Sequence, residues 1–92
     1  MNEAGLEYFV ADAAALFGWR RYHTHRSDRS PAGFPDDVLV RGHRLVFAEL
    51  KSDRGRVSRA QCEWLEDLHG IEQVDVYLWR PIDCDRIVQV LR

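Results

Sequence analysis

Apolar residues fall at Leu6, Phe9, Val10, Ala13, Ala14 and Phe17, the three-and-four spacing of a helix that buries one face. The spacing predicts a helix from Glu3 to Phe17, stopped by Gly18. Trp19–His25 reads as a short polar strand, and Arg26–Pro35, rich in Ser, Pro and Gly, as a loop. Two β-rich runs, Asp36–Arg41 and Arg44–Lys51, flank Gly42-His43. A glycine at the first central position suits a two-residue II′ turn, so the runs are expected to form a tight hairpin. Ser52–Val57 is a second polar loop. Ser58-x-x-Gln61 has the form of a capping box, opening a helix with apolar positions Cys62, Trp64, Leu65 and Leu68 and ending at Gly70. Gln73–Trp79 alternates as a strand, Pro81 breaks it, and Asp83–Leu91 reads as a last helix capped by Asp83. The expected order is α-β-β-β-α-β-α, an α/β (α+β) fold with a mixed sheet flanked by helices, in one domain over residues 1–92.

The hairpin fixes a register. With Gly42 and His43 as the loop, Arg41 faces Arg44, Val40 faces Leu45, Val38 faces Phe47 and, two steps on, Asp36 faces Glu49. Opposed residues hold their Cβ atoms about 4.5–5.5 Å apart. Lys51 shares the Glu49 face, whereas Asp37 points to the other, opposite Ala48. Both faces are otherwise apolar, so the hairpin is expected to be buried on both sides. Two carboxylates at that distance repel, and partial burial adds on the order of several kcal/mol to the penalty. A divalent cation relieves it, since Mg²⁺ takes one or two carboxylates and keeps water elsewhere. The Leu50 carbonyl is a candidate third ligand, and Lys51 is suited to polarise an attacking water and offset phosphate charge. The plainer alternative is a Glu49–Lys51 salt bridge at a strand end, which leaves the Asp36–Glu49 encounter unexplained.

Charge sharpens this picture. The net charge is −2, yet residues 19–60 hold ten of the thirteen basic residues and only five acids, a local +5. A basic segment with embedded carboxylates fits a phosphate backbone plus a cation. Lys51 is the sole lysine. Cys62 and Cys84 lack metal-ligand spacing and are expected to be free thiols. No apolar run approaches the ~18 residues of a membrane span and no secretion signal opens the chain, so a cytoplasmic protein is expected.

Gly33-Phe34-Pro35-Asp36 followed by Glu49-Leu50-Lys51 resembles the PD-(D/E)xK nuclease superfamily. Adding Glu3-Ala4, Gly18-Trp19, Tyr22-His23-Thr24-His25, Ser58-x-x-Gln61-x-x-Trp64-Leu65 and Trp79-Arg80-Pro81 with Asp83, the chain is similar to a stand-alone VRR-NUC domain over nearly its whole length. The resemblance implies a Mg²⁺- or Mn²⁺-dependent endonuclease acting on branched DNA such as four-way junctions, in replication, repair or recombination, and working as a homodimer. It implies Asp36 and Glu49 as metal ligands, Lys51 as the catalytic lysine, Glu3 as the acid of the first helix and Gln61 as the glutamine of the later one. Glu7, one turn beyond Glu3, is an alternative acid. Asp37 departs from the family pattern, where that position is apolar. Arg26, Arg29, Arg54, Arg56, Arg59, Ser30, Ser58 and His25 are candidate DNA contacts, with Arg20 and Arg21 nearby; His23 and His25 share one strand face. The alternative from another class is a non-catalytic nucleic-acid-binding module that keeps the fold.

Overall fold

The computed structural model describes residues 1–25 and 28–92. Helix α1 (Glu3–Leu16) is opened by Asn2, whose side-chain oxygen accepts the Gly5 N–H at 2.8 Å. It closes where the Trp19 N–H reaches the Ala14 carbonyl at 2.8 Å, with Gly18 in the left-handed region at φ 78°. Strands β1 (Arg20–His23), β2 (Asp37–Arg41) and β3 (Arg44–Leu50) follow, then helix α2 (Arg59–His69), strand β4 (Asp75–Trp79), a single 3₁₀ turn (Pro81–Asp83) and helix α3 (Cys84–Leu91). The expected order of elements is the observed one, with strand ends trimmed by one or two residues.

The sheet runs β1-β2-β3-β4. The first three strands are antiparallel, and β4 lies parallel to β3 across the α2 crossover. Mixed pairing follows from the connections, because a tight turn returns the chain antiparallel and a helical crossover returns it parallel. Arg41 pairs with Arg44, Val40 with Leu45 and Val38 with Phe47. Gly42 has φ 59° while no non-glycine among the described residues has a positive φ, the pattern of a II′ turn.

The two faces of the hairpin are not equivalent, contrary to the expectation that both are buried. Leu39, Val46 and Ala48 have no exposure and Leu50 only 2 %, in one core with Leu6, Val10 and Ala14 of α1 and Ile87 and Leu91 of α3. On the other face Val38, Leu45 and Phe47 are half-buried and Val40 is exposed. Partial cover there comes from an aromatic trio: Phe34 meets Phe47 and Trp64 edge-on, with ring centroids 5.9 and 5.1 Å apart. No residue of α2 is fully buried, and Cys62, expected on its apolar side, is exposed.

Two basic residues of the central segment serve the fold. Arg41 donates to the Phe17 and Leu91 carbonyls at 3.0 and 2.8 Å, and Arg44 to the Val90 carbonyl at 3.0 Å. Both guanidinium groups also lie over the Trp19 ring, 4.6 and 4.9 Å from its centroid. They complete the otherwise unsatisfied end of α3, where positive charge is favoured. Asp83 does not cap α3 as expected. Pro81 opens the 3₁₀ turn, and the Asp83 carboxylate folds back to accept the Arg80 N–H at 2.8 Å.

Candidate active site

Asp36 sits one residue before β2 and is pinned by its neighbours. The Thr24 N–H donates to the Asp36 carbonyl at 2.7 Å, and the Thr24 hydroxyl donates to the Pro35 carbonyl at 2.8 Å. The Asp36 carboxylate accepts the Leu50 N–H through Oδ2 at 2.8 Å, a bridge from β2 to β3. Leu50 thus meets Asp36 through its amide, a contact apart from the carbonyl expected to face a metal. These bonds hold the Asp36 carboxylate beside Glu49 on the half-covered face, with Lys51 next along the chain.

Glu49 is 1 % exposed. Its Oε2 accepts from Gln61 Nε2 at 3.1 Å and lies 3.7 Å from Lys51 Nζ, while Oε1 has no hydrogen-bond donor. Its pKa is pushed up to about 8, first by burial and then by the adjacent Asp36 carboxyl, through hydrogen bonding and negative charge. Lys51 opposes the rise, and Glu3 adds to it. A buried carboxylate with a bare oxygen, set against a second acid, is an arrangement that either a proton or a cation can satisfy. The donor set of two carboxylates suits a hard divalent ion that keeps several waters.

Gln61 has two roles at once. Its Oε1 accepts the Ser58 N–H at 2.8 Å while the Ser58 hydroxyl oxygen accepts the Gln61 N–H at 3.1 Å, the reciprocal capping box. Fixing Oε1 in the cap aims Nε2 at Glu49. The trio of Phe34, Phe47 and Trp64 sets the height of α2 above the sheet, and Gly33 sets how closely the preceding loop approaches. Gly33 has φ 95°, and a Cβ there would lie 2.5 Å from the Ala60 carbonyl carbon. Gly33→Ala should therefore destabilise the fold by about 2 kcal/mol or more through backbone strain and overpacking. Chemical denaturation measures this, and an unchanged midpoint would show that the loop yields freely.

Beside the acid pair opens a groove of about 1170 Å³, walled by Tyr22, Thr24, His25, Asp28, residues 30–34, Asp36, Ser58, Gln61 and Trp64. Ser30, Ser58 and His25 thus share a groove with Asp36, whereas Glu49 and Lys51 do not line it. Arg29, Arg54, Arg56 and Arg59 are exposed, and Arg59 pairs with Glu63 at 3.3 Å. Arg26 lies outside the described residues. Glu3 is exposed at the start of α1. Among the described residues no three His, Cys, Asp or Glu side chains gather as a ligand set, so Asp36 and Glu49 stand as a pair.

Asp37 points away from this site, opposite Ala48, and is wholly buried. Its Oδ1 meets His23 Nδ1 at 2.9 Å and accepts from Arg21 Nε at 3.0 Å, and His23 Nε2 lies 3.2 Å from Glu7. Burial raises the Asp37 pKa, with His23 and Arg21 opposing the rise. Arg21, His23 and Glu7 are therefore committed to a network behind the sheet, which separates Glu7 from Glu3. His23 and His25, expected on one face, touch edge-on at 5.5 Å; His23 is held by Asp37 and Glu7, while His25 lines the groove. The signal for this network was the departure at Asp37 itself, since a buried carboxylate demands partners.

No protein-family model matches the sequence, and no curated protein matches it. Three chains of solved structures do match. One of them, described as a VRR_NUC domain protein, aligns with a TM-score of 0.71 at 21 % identity, over 98 % of this chain and 84 % of its own. The likeness covers nearly the whole chain, and this chain has the fold of a VRR_NUC domain protein.

Proposed function

We propose that this chain is a metal-dependent endonuclease that hydrolyses phosphodiester bonds in DNA, with branched DNA as its preferred substrate. The observation that carries the reading is the Asp36 carboxyl, just before β2, set against Glu49 of β3, which is buried with an unpartnered oxygen beside Lys51. Asp36, Glu49 and the Leu50 carbonyl are the residues to hold Mg²⁺ or Mn²⁺. When bound, such an ion lowers the pKa of a water and draws charge from the phosphate.

The chain's own groups then divide the work. Glu49 must release its proton for the ion to enter. Lys51 carries its ammonium group to the water that attacks phosphorus and to the charge that develops on the phosphate oxygens. Gln61 holds the Glu49 carboxylate in one orientation from the side of α2. The first turn of α2 turns its positive end to the groove, and exposed Arg54, Arg56 and Arg59 with Ser30 contact flanking phosphates. Water adds to phosphorus and the 3′ oxygen departs, leaving 5′-phosphate and 3′-hydroxyl ends. A homodimer suits a four-way junction, because a two-fold pair of sites matches a two-fold substrate.

The test is cleavage of labelled four-way, flapped and linear DNAs with Mg²⁺ or Mn²⁺. Metal-dependent cutting near the branch point is expected, with linear duplex cut more slowly. Equal rates on all three would remove the branched-DNA part, and no cutting under any condition would remove the enzyme. Within the same assay Gln61→Ala should slow cleavage about tenfold, and Gln61→Glu more, since a second carboxylate against Glu49 restores the repulsion.

A further inference from the structure

Lys51 is followed by a loop, residues 52–57, with no regular structure of its own, yet its first turn is held from one point. Arg80, just beyond β4, donates from a single nitrogen, Nη1, to the carbonyls of Ser52, Asp53 and Gly55 at 2.6, 3.3 and 2.9 Å. Two hydrogens shared among three oxygens gather the turn around the guanidinium, and the bonds are strengthened by its charge. Arg80 is itself fixed, because its N–H donates to Asp83 at 2.8 Å. The adjoining backbone is tied as well, with the Lys51 N–H on the Trp79 carbonyl at 3.0 Å.

The gathered turn comes back onto the lysine. A Cβ on Gly55 would lie 3.4 Å from Lys51 Cδ and 2.9 Å from Ser52 Oγ, so the Gly55 backbone backs the stem of Lys51. Arg54 and Arg56, on either side of Gly55, are exposed. One guanidinium is thereby bonded to the turn that backs Lys51 and carries Arg54 and Arg56.

We infer that Arg80 is a positioning residue: it shapes the loop after Lys51 into a phosphate-facing element and fixes Arg54 and Arg56 for DNA without touching DNA itself. This rests on the nuclease reading for its ligand, though the shaping of the loop does not. The three carbonyls converge on one nitrogen at the far end of a planar group, and the shorter, unbranched stem of a lysine would not set its ammonium at that point.

Two readouts on the full chain test it. Trypsin cuts after arginine, so its rate at Arg54 and Arg56 reports loop order without any nucleic acid. Arg80→Gln should speed those cuts tenfold or more while the melting temperature falls by only a few degrees. DNA affinity, measured in Ca²⁺, should fall about tenfold in Arg80→Gln and should not fall further when the same change is made in an Arg54→Gln/Arg56→Gln background. Equal losses in both backgrounds, or unchanged trypsin rates, overturn the proposal. If Arg80→Gln does not fold, Arg80→Lys takes its place with the same two comparisons. Should the unaltered protein bind no DNA, the trypsin arm still decides the role of Arg80, and it is the nuclease reading that fails.

Discussion

Lys51→Ala is expected to lower DNA cleavage by roughly 10²–10³-fold or more, the usual loss when one preorganised group facing developing charge is removed. DNA affinity in Ca²⁺ should stay within about threefold, because Lys51 is one of ten basic residues in the segment 19–60. The side chain is largely enclosed, at 15 % exposure, and its ammonium lies 3.7 Å from Glu49 Oε2, so it is placed at the acid pair rather than spread into solvent. Lys51→Arg should not rescue, since a planar fork cannot occupy the same enclosed position. Single-turnover kinetics on a labelled junction gives the first number and a binding titration the second. Undiminished cleavage by Lys51→Ala would remove the lysine from the chemistry. Parallel loss of cleavage and affinity would reassign it to DNA binding.

The second large effect is a pH dependence with a definite sign. Glu49 has a pKa of about 8 in the fold against 4.5 in the unfolded chain. Between those values the folded protein binds a proton that the unfolded chain has released, so metal-free stability falls as pH rises through the window. Buried Asp37, also raised, acts in the same direction, so the decisive comparison is with Glu49→Gln, which should flatten the slope without removing it. Entry of a divalent ion displaces the Glu49 proton. Apparent Mn²⁺ affinity should therefore climb up to about tenfold per pH unit below 8. Melting curves from pH 5 to 8.5, with and without Mn²⁺, measure both. Identical slopes in the two proteins, or a Mn²⁺ stabilisation that does not grow with pH, would show that Glu49 does not carry the proton in question.

How far the site was legible in the sequence depended on how local its geometry is. A two-residue turn at Gly42-His43 fixes strand pairing by counting, so Asp36 and Glu49 could be brought together and Asp37 sent to the other face without coordinates. Which face lies under α1 and α3 was not readable, because Val38, Val40, Leu45 and Phe47 look as apolar as Leu39, Val46, Ala48 and Leu50. The partners of Asp37 were hidden for a different reason. They come from β1 and α1, and the sequence between β1 and β2 is too long to dictate a register by counting. Gln61 was half legible. Its cap is written in Ser58-x-x-Gln61, but its bond to Glu49 depends on the aromatic packing that seats α2 on the sheet. Asp83 misled because an acid before a helix is the usual cap pattern, whereas Pro81 two residues earlier had already started a tighter turn. Arg80 stood out only within Trp79-Arg80-Pro81, with no sign of its role, since its three acceptors lie more than twenty residues away in the chain.

Whether two acids on neighbouring strands share one ion can be observed directly by anomalous diffraction from crystals equilibrated with Mn²⁺. A single strong peak within about 2.3 Å of one Asp36 oxygen and one Glu49 oxygen is expected, with Lys51 alongside. A peak held elsewhere on the chain, or none between these carboxylates in crystals of protein that cuts DNA with Mn²⁺, would contradict the shared-ion site and the chemistry assigned to it.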